Sequence, residues 1–172
     1  RYRNNSLVGN YSHDFSDQLK FESNIRVAET YLQYDAEIDG DTTAHNEEVD
    51  GLESSSNVSL VYKPNQKFTN KFTLGKTLIK RKYNAAPGSY NTEADNYIGD
   101  RHALMYTGNY NFNLDNSLVF GLEREDDQIG YNKEMAGMKH SASYVTSSYF
   151  DFQSRITQNI YATFGSRFDE HS

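Results

Sequence analysis

The chain has 172 residues, no cysteine, a formal net charge of −7 and a mean hydropathy of −0.84, yet 14% of it is aromatic, from 14 Tyr and 10 Phe. The absence of cysteine excludes a disulfide framework and thiolate metal sites, and no apolar run is long enough for a transmembrane helix. Disordered chains are poor in aromatics, so this polarity fits a sheet that needs only one apolar face, as a barrel with a wet interior does.

Period-two alternation predicts eight strands. The first runs from about Ser6 to Phe15, with Leu7, Gly9, Tyr11, His13 and Phe15 on one parity, and turns at SDQ. The second has Leu19, Phe21, Ser23, Ile25 and Val27 facing one way and Lys20, Glu22, Asn24 and Arg26 the other. Beyond Val27 the alternation falters, which predicts a bulge or emergence from a membrane. An acidic connection is expected from about Asp35 to Ser54.

The third strand carries Val58, Leu60 and Tyr62, and KPNQK reads as its turn because Pro64 suits a turn and cannot serve a ladder. The fourth, about Phe68 to Tyr83, has Phe68, Phe72, Leu74 and Leu78 on one parity and Thr69, Lys71, Thr73, Gly75 and Thr77 on the other. A second long connection follows over 85–100. The fifth strand carries Leu104, Tyr106, Gly108, Tyr110 and Phe112, and NLDN turns it into the sixth, with Leu118, Phe120 and Leu122. After a third connection over 125–140, Ala142 to Phe152 and Ile160 to Phe168 form a last hairpin around SRITQN.

Rings flank every short turn: Phe15 and Phe21, Tyr62 and Phe68, Phe112 and Phe120, Phe150 and Phe152. They read as one girdle at a membrane interface, with Tyr31, Tyr34, Tyr83, Tyr97, Tyr106 and Tyr144 as the second. The three long connections hold fifteen carboxylates against Lys133 and Lys139, so acid is expected to gather at one end. Residues 1–172 therefore read as part of one all-β domain, an antiparallel up-and-down transmembrane β-barrel segment of about eight strands with short periplasmic turns and long extracellular loops.

No catalytic signature is present, and an enzyme is not expected; His13, His45, His102, His140 and His171 are dispersed. Nucleic acid is not an expected partner, because Lys80, Arg81 and Lys82 are a single basic run in an acidic chain. Asp35, Glu37, Asp39 and Asp41 alternate along one connection, a carboxylate density that suits Ca²⁺. Lys20, Glu22, Arg26, Lys71, Glu123, Arg167 and Asp169 fall on the inward parity, where they would pair or line a lumen.

The last hairpin, with Tyr149, Asp151 and Gln153 before the turn and Gly165, Arg167, Phe168 and Asp169 in IYATFGSRFDEHS after it, resembles the barrel of TonB-dependent outer-membrane receptors of the cobalamin-transporter type. FTLGKTLIKRKYN and SLVFGLEREDDQ are similar to successive strands of such barrels. The resemblance implies a barrel of 22 strands, a plug domain that this chain does not contain and through which TonB acts, a bacterial outer-membrane location, calcium-binding acidic loops, and uptake of a bulky scarce nutrient such as cobalamin or a siderophore-like metal chelate. The chain begins at Arg1 without Met and stops at Ser172 without a terminal aromatic, so an internal barrel fragment is expected. The competing expectations are a complete eight-stranded barrel with an adhesin or structural role, and a soluble lipocalin-like binder with its apolar parity turned inward.

Overall fold

A computed structural model describes residues 1–35, 46–84, 95–133 and 137–172. They form one antiparallel up-and-down sheet: β1 (Tyr2–Asp14), β2 (Leu19–Asp35), β3 (Asn46–Asn65), β4 (Phe68–Asn84), β5 (Asp95–Asn111), β6 (Asn116–Lys133), β7 (Gly137–Thr157) and β8 (Ile160–His171). Each strand pairs with its neighbours in sequence, and β1 and β8 are the two edges of an open sheet.

Three expectations need correction. Much of each long connection is strand: β3 starts at Asn46, β5 at Asp95, and β6 and β7 reach Lys133 and Gly137. Among the described residues there, Asp127, Asp126 and Glu53 are strand residues held by Arg101, Arg124 and Arg26. No bulge follows Val27, since β2 keeps its register with both neighbours up to its end. The register instead shifts between Tyr62 and Asn65 and between Arg155 and Thr157. Pro64 thus lies in the irregular end of β3, where a residue without an N–H removes no ladder bond, and SRITQN is mostly β7 with only Gln158 and Asn159 turning.

Directly paired residues share a face, so the ladder defines two faces. One carries Leu7, Ile25, Leu60, Phe72, Leu104, Leu122 and Phe164, all at least 40% exposed. The other carries the charged residues of the strand centres and most of the buried side chains, namely Ala28, Ser59, Val61, Thr73 and Ser147. Crowding on the polar side is what the inner surface of a curved sheet produces.

The short turns step down the sheet by two residues per hairpin. Leu19 at the start of β2 is level with Asn70 through Tyr62, yet β4 begins lower, at Phe68. Phe68 is level with Leu118 through Tyr110, and β6 begins lower, at Asn116. Asn116 is level with Ala162 through Ser154, and β8 begins lower, at Ile160. One residue per strand, at ~3.3 Å rise and ~4.8 Å spacing, corresponds to strands inclined by about 35° to the normal of the turn line.

On the even strands the upper limit of the apolar face descends with the turns from β2 to β6 and stays level from β6 to β8. The first charges there are Glu29 on β2, Lys76 on β4, Arg124 on β6 and Glu170 on β8. Glu29 is level with Lys80, and Lys76 lies below Lys80 on the same strand. Arg124 and Glu170 are level with Leu74, lower again. The result is an oblique apolar band, as from Leu19 to Val27 on β2 or from Ile160 to Phe168 on β8. Nine residues at that inclination span about 24 Å.

Aromatic contacts knit the lower band. Phe68 stacks on Phe120 at 6.3 Å across β5, which is possible because Gly108 lies between them; a Cβ there would stand 2.5 Å from the Phe120 ring. Phe112 and Phe152 meet at 6.2 Å, and the Tyr106 hydroxyl donates to Asn70 Oδ1 at 2.8 Å, which satisfies a buried amide on this face.

Candidate functional site

All seven charged residues assigned to the inward parity stand on the polar face, and each has a partner there. The Glu22 carboxylate is held by Lys20 at 3.2 Å and by Lys71 at 2.9 Å. Lys71 reaches it across β3, whose Ser59 is small and bonded to Thr73 at 2.9 Å. Arg167 repeats this arrangement across β7: its guanidinium meets Glu123 at 3.0 Å, Ser147 Oγ at 2.8 Å and Asp169 at 2.7 Å. Between the two, Tyr149 and Thr107 share a hydrogen bond of 2.9 Å over Gly121. Arg26 pairs with Glu53 at 3.2 Å.

Sequence reasoning missed part of this network. Arg101 grips Asp127 through two nitrogens, at 2.6 and 2.9 Å, and meets Glu125 at 3.4 Å. Glu125 and Asp127 had been placed in a connection, although they continue the parity of Glu123 and so carried a legible signal. The network fixes the polar face electrostatically, and its neutralised pairs leave little free charge in the strand centres.

Towards the long connections the two faces exchange character. On β2 the apolar parity ends at Val27, and Ala28, Leu32 and Tyr34 then fall on the polar-face parity while Glu29 takes the opposite one. Val49 on β3 and Ile79 and Tyr83 on β4 follow the same inversion. This inversion, not a bulge, is why the alternation faltered.

The inverted patch lines a groove of ≈ 490 Å³, with Ala28, Leu32, Val49 and Ile79 as apolar wall and Tyr34 and Tyr83 as phenolic rim. Gly51 forms its floor, and a Cβ there would meet only Thr30, at ordinary contact distances from 3.6 Å. Beside it Tyr83, Tyr97 and Tyr131 make a ladder of rings with centroids 5.6 and 4.8 Å apart. Tyr34, Tyr83 and Tyr97 thus share a face with this groove and not with the apolar band, whereas Tyr31, Tyr106 and Tyr144 share the band's face. The second aromatic girdle expected from sequence splits in two because the grouping ignores parity, and Tyr106, paired with Phe72, lies in the lower band and not towards the long connections.

The groove's charges are unequal. Glu53 is engaged by Arg26, whereas among the described residues Arg81 makes no hydrogen bond or ion pair. Its neighbours in the basic run, Lys80 and Lys82, stand on the opposite face beside Leu52, Asp50 and Ile98, where a second groove of ≈ 520 Å³ lies. At the rim, burial and then the Glu47 carboxylate raise the Tyr34 phenol. The Tyr31 hydroxyl donates to Glu48 at 2.7 Å, which raises its pKa. Tyr131 is pushed up to about 12, by burial first and then by the carboxylate of Asp95, 3.3 Å from its hydroxyl.

Of the calcium candidates, Glu37, Asp39 and Asp41 lie outside the described residues, as does the Asp35 side chain; the Asp35 backbone closes β2 opposite Asn46. Among the described residues no group of three or more His, Asp or Glu is placed to hold a metal ion. His102, the one histidine singled out by its strand-mouth position, has Nε2 at 3.2 Å from Asp100, which also meets Lys76 at 3.3 Å, on the face of the apolar band. No protein-family model matches the chain, and no curated protein matches it.

Proposed function

We propose that this chain is part of the wall of an outer-membrane β-barrel, with the apolar band against lipid and the polar face towards the lumen. The observation that carries the reading is the oblique band, whose upper limit on the even strands steps down from β2 to β6 in the same direction as the short turns and is level from β6 to β8. A soluble sheet has no reason to keep its apolar surface at constant depth relative to its turns, whereas a bilayer imposes one depth on every strand. The inclination of about 35° and the depth of about 24 Å agree with transmembrane barrels.

Two further observations support this reading over its rivals. The unpaired edges at β1 and β8 favour a larger barrel over closure by these eight strands alone. The crowded face is the polar one, the reverse of a lipocalin-like binder, whose inward side chains would be apolar. The resemblance of the last hairpin carries the finer proposal: a TonB-dependent transporter for a bulky scarce nutrient, cobalamin or a metal chelate, with TonB acting through a plug domain. On spacing alone, Asp35, Glu37, Asp39 and Asp41 remain the proposed calcium ligands.

Brominated phospholipid tests the membrane assignment, because bromine quenches only tyrosines that touch acyl chains. The expected result is strong quenching that falls when Tyr11 and Tyr106 are changed to Phe and is unaffected by Tyr97→Phe. Equal contributions from all three, or full solubility without detergent, would remove the proposal.

A further inference from the structure

We infer that the groove around Arg81 is a binding site for a small organic anion with a flat apolar body. The inference deepens the transporter proposal, on which it rests for the groove's position at the outer mouth of the lumen. Three independent features converge on it. The first is the inversion that places Ala28, Leu32, Val49 and Ile79 on a face otherwise given to ion pairs. Apolar side chains on the wet side of a barrel wall gain nothing from lipid, so an apolar ligand is what would cover them.

The second is charge. The polar face neutralises its other guanidiniums, with Arg26, Arg101 and Arg167 each on a carboxylate, while Arg81 among the described residues has none. Its opposite neighbours are Gly51 and Tyr97, which offer no competing acceptor side chain of formal charge. A planar guanidinium flanked by a ring and an open floor suits a carboxylate or phosphate, which it meets through two parallel N–H bonds.

The third is shape. Gly51 leaves the floor flat, and ≈ 490 Å³ lies within the range of small-molecule sites. Tyr34 and Tyr83 offer ring faces with hydroxyls at the edge, so a flat body can stack while its anionic end reaches Arg81. Lys82 does not line this groove, and Lys80, which does, belongs by register to the opposite face, so Arg81 is the cation that projects on the groove's own parity.

The test uses the full-length polypeptide in detergent micelles at pH 7, with salicylate as the anionic probe and salicylamide as its uncharged counterpart, followed by ligand-observed NMR titration. Salicylate is expected to bind about tenfold more tightly than salicylamide. Arg81→Gln should reduce that ratio to near one, Arg81→Lys should restore part of it, and Gly51→Leu should abolish binding of both by filling the floor. Unchanged far-UV circular dichroism in each variant shows that the sheet is retained. An equal affinity for the two probes in the parent, or an unaltered ratio in Arg81→Gln, would overturn the site. Brominated-lipid quenching measured on the same samples separates the two proposals: its absence with the Arg81-dependent ratio intact overturns the membrane assignment alone, and its presence without that ratio overturns the site alone.

Discussion

Lys71 Nζ lies 2.9 Å from Glu22 Oε2 although their strands are not neighbours, because β3 between them presents the small Ser59 opposite Glu22 and the short, buried Val61 opposite Lys71. Ser59 is buried and bonded to Thr73, so the bridge depends on a small residue as much as on its charges. Ser59→Phe should therefore destabilise by about 1–3 kcal/mol through overpacking. Glu22→Gln, in a part-exposed pair, should cost no more than about 1 kcal/mol. Urea titration in vesicles measures both, and a Ser59→Phe midpoint equal to the parent's would contradict the account.

Gly108 and Gly121 differ in what crowds them. A Cβ at Gly108 would meet only the Phe120 ring, whereas at Gly121 it would meet the backbone carbonyl of Tyr106, 2.5 Å away, as well as the Tyr149 phenol. Both Gly→Ala changes should destabilise. Phe120→Leu should rescue Gly108→Ala, and Tyr149→Phe should fail to rescue Gly121→Ala, because the carbonyl remains. Rescue of both, or of neither, would show that these contacts are not the limiting ones.

Phe72 stands within the apolar band and Thr77 on the opposite face. Phe72→Arg should make insertion into phospholipid vesicles less favourable by ~2–4 kcal/mol, while Thr77→Arg should cost far less. Equal penalties would argue against lipid on the band.

Tyr131 links the rim to pH. Its folded pKa is raised from 10.0 to about 12, so its stabilising effect is complete below pH 10 and is lost as pH rises through about 12. The parent should lose stability over that window by more than Tyr131→Phe does, as read from denaturation midpoints at pH 9 and pH 12. Identical losses would mean that the phenol is not coupled to folding.

If the Asp35 to Asp41 carboxylates bind Ca²⁺, calorimetric titration of the full receptor should give a heat that vanishes in Asp39→Ala/Asp41→Ala and after chelation. An unchanged heat would place the cation elsewhere.

Strand identity and facing were legible because alternation at Leu19–Val27 or Leu104–Phe112 is a local signal that the ladder then amplifies. The same signal assigned Lys71 and Arg167 to one face without any knowledge of pairing. What it lacked was the partner. Residues 125–133 read as connection because acidic residues are weak strand formers, and only the pairing with Arg101 makes Glu125 and Asp127 favourable there. The groove was illegible for a different reason. Its residues follow the parity rule with the sign reversed, so Ala28, Leu32 and Tyr34 looked like the decay of a pattern when they begin another.

Because every strand bonds only to its neighbours in sequence, β1 through β8, the sheet requires no distant segment to arrive before it can grow. Assembly can proceed as a zipper, in which each hairpin closes its own short turn and docks on the strand just laid down. Beyond the outer edge of β1, a single advancing edge exposes unbonded N–H and C=O groups at any moment, which limits the time that edge has for pairing with the wrong chain.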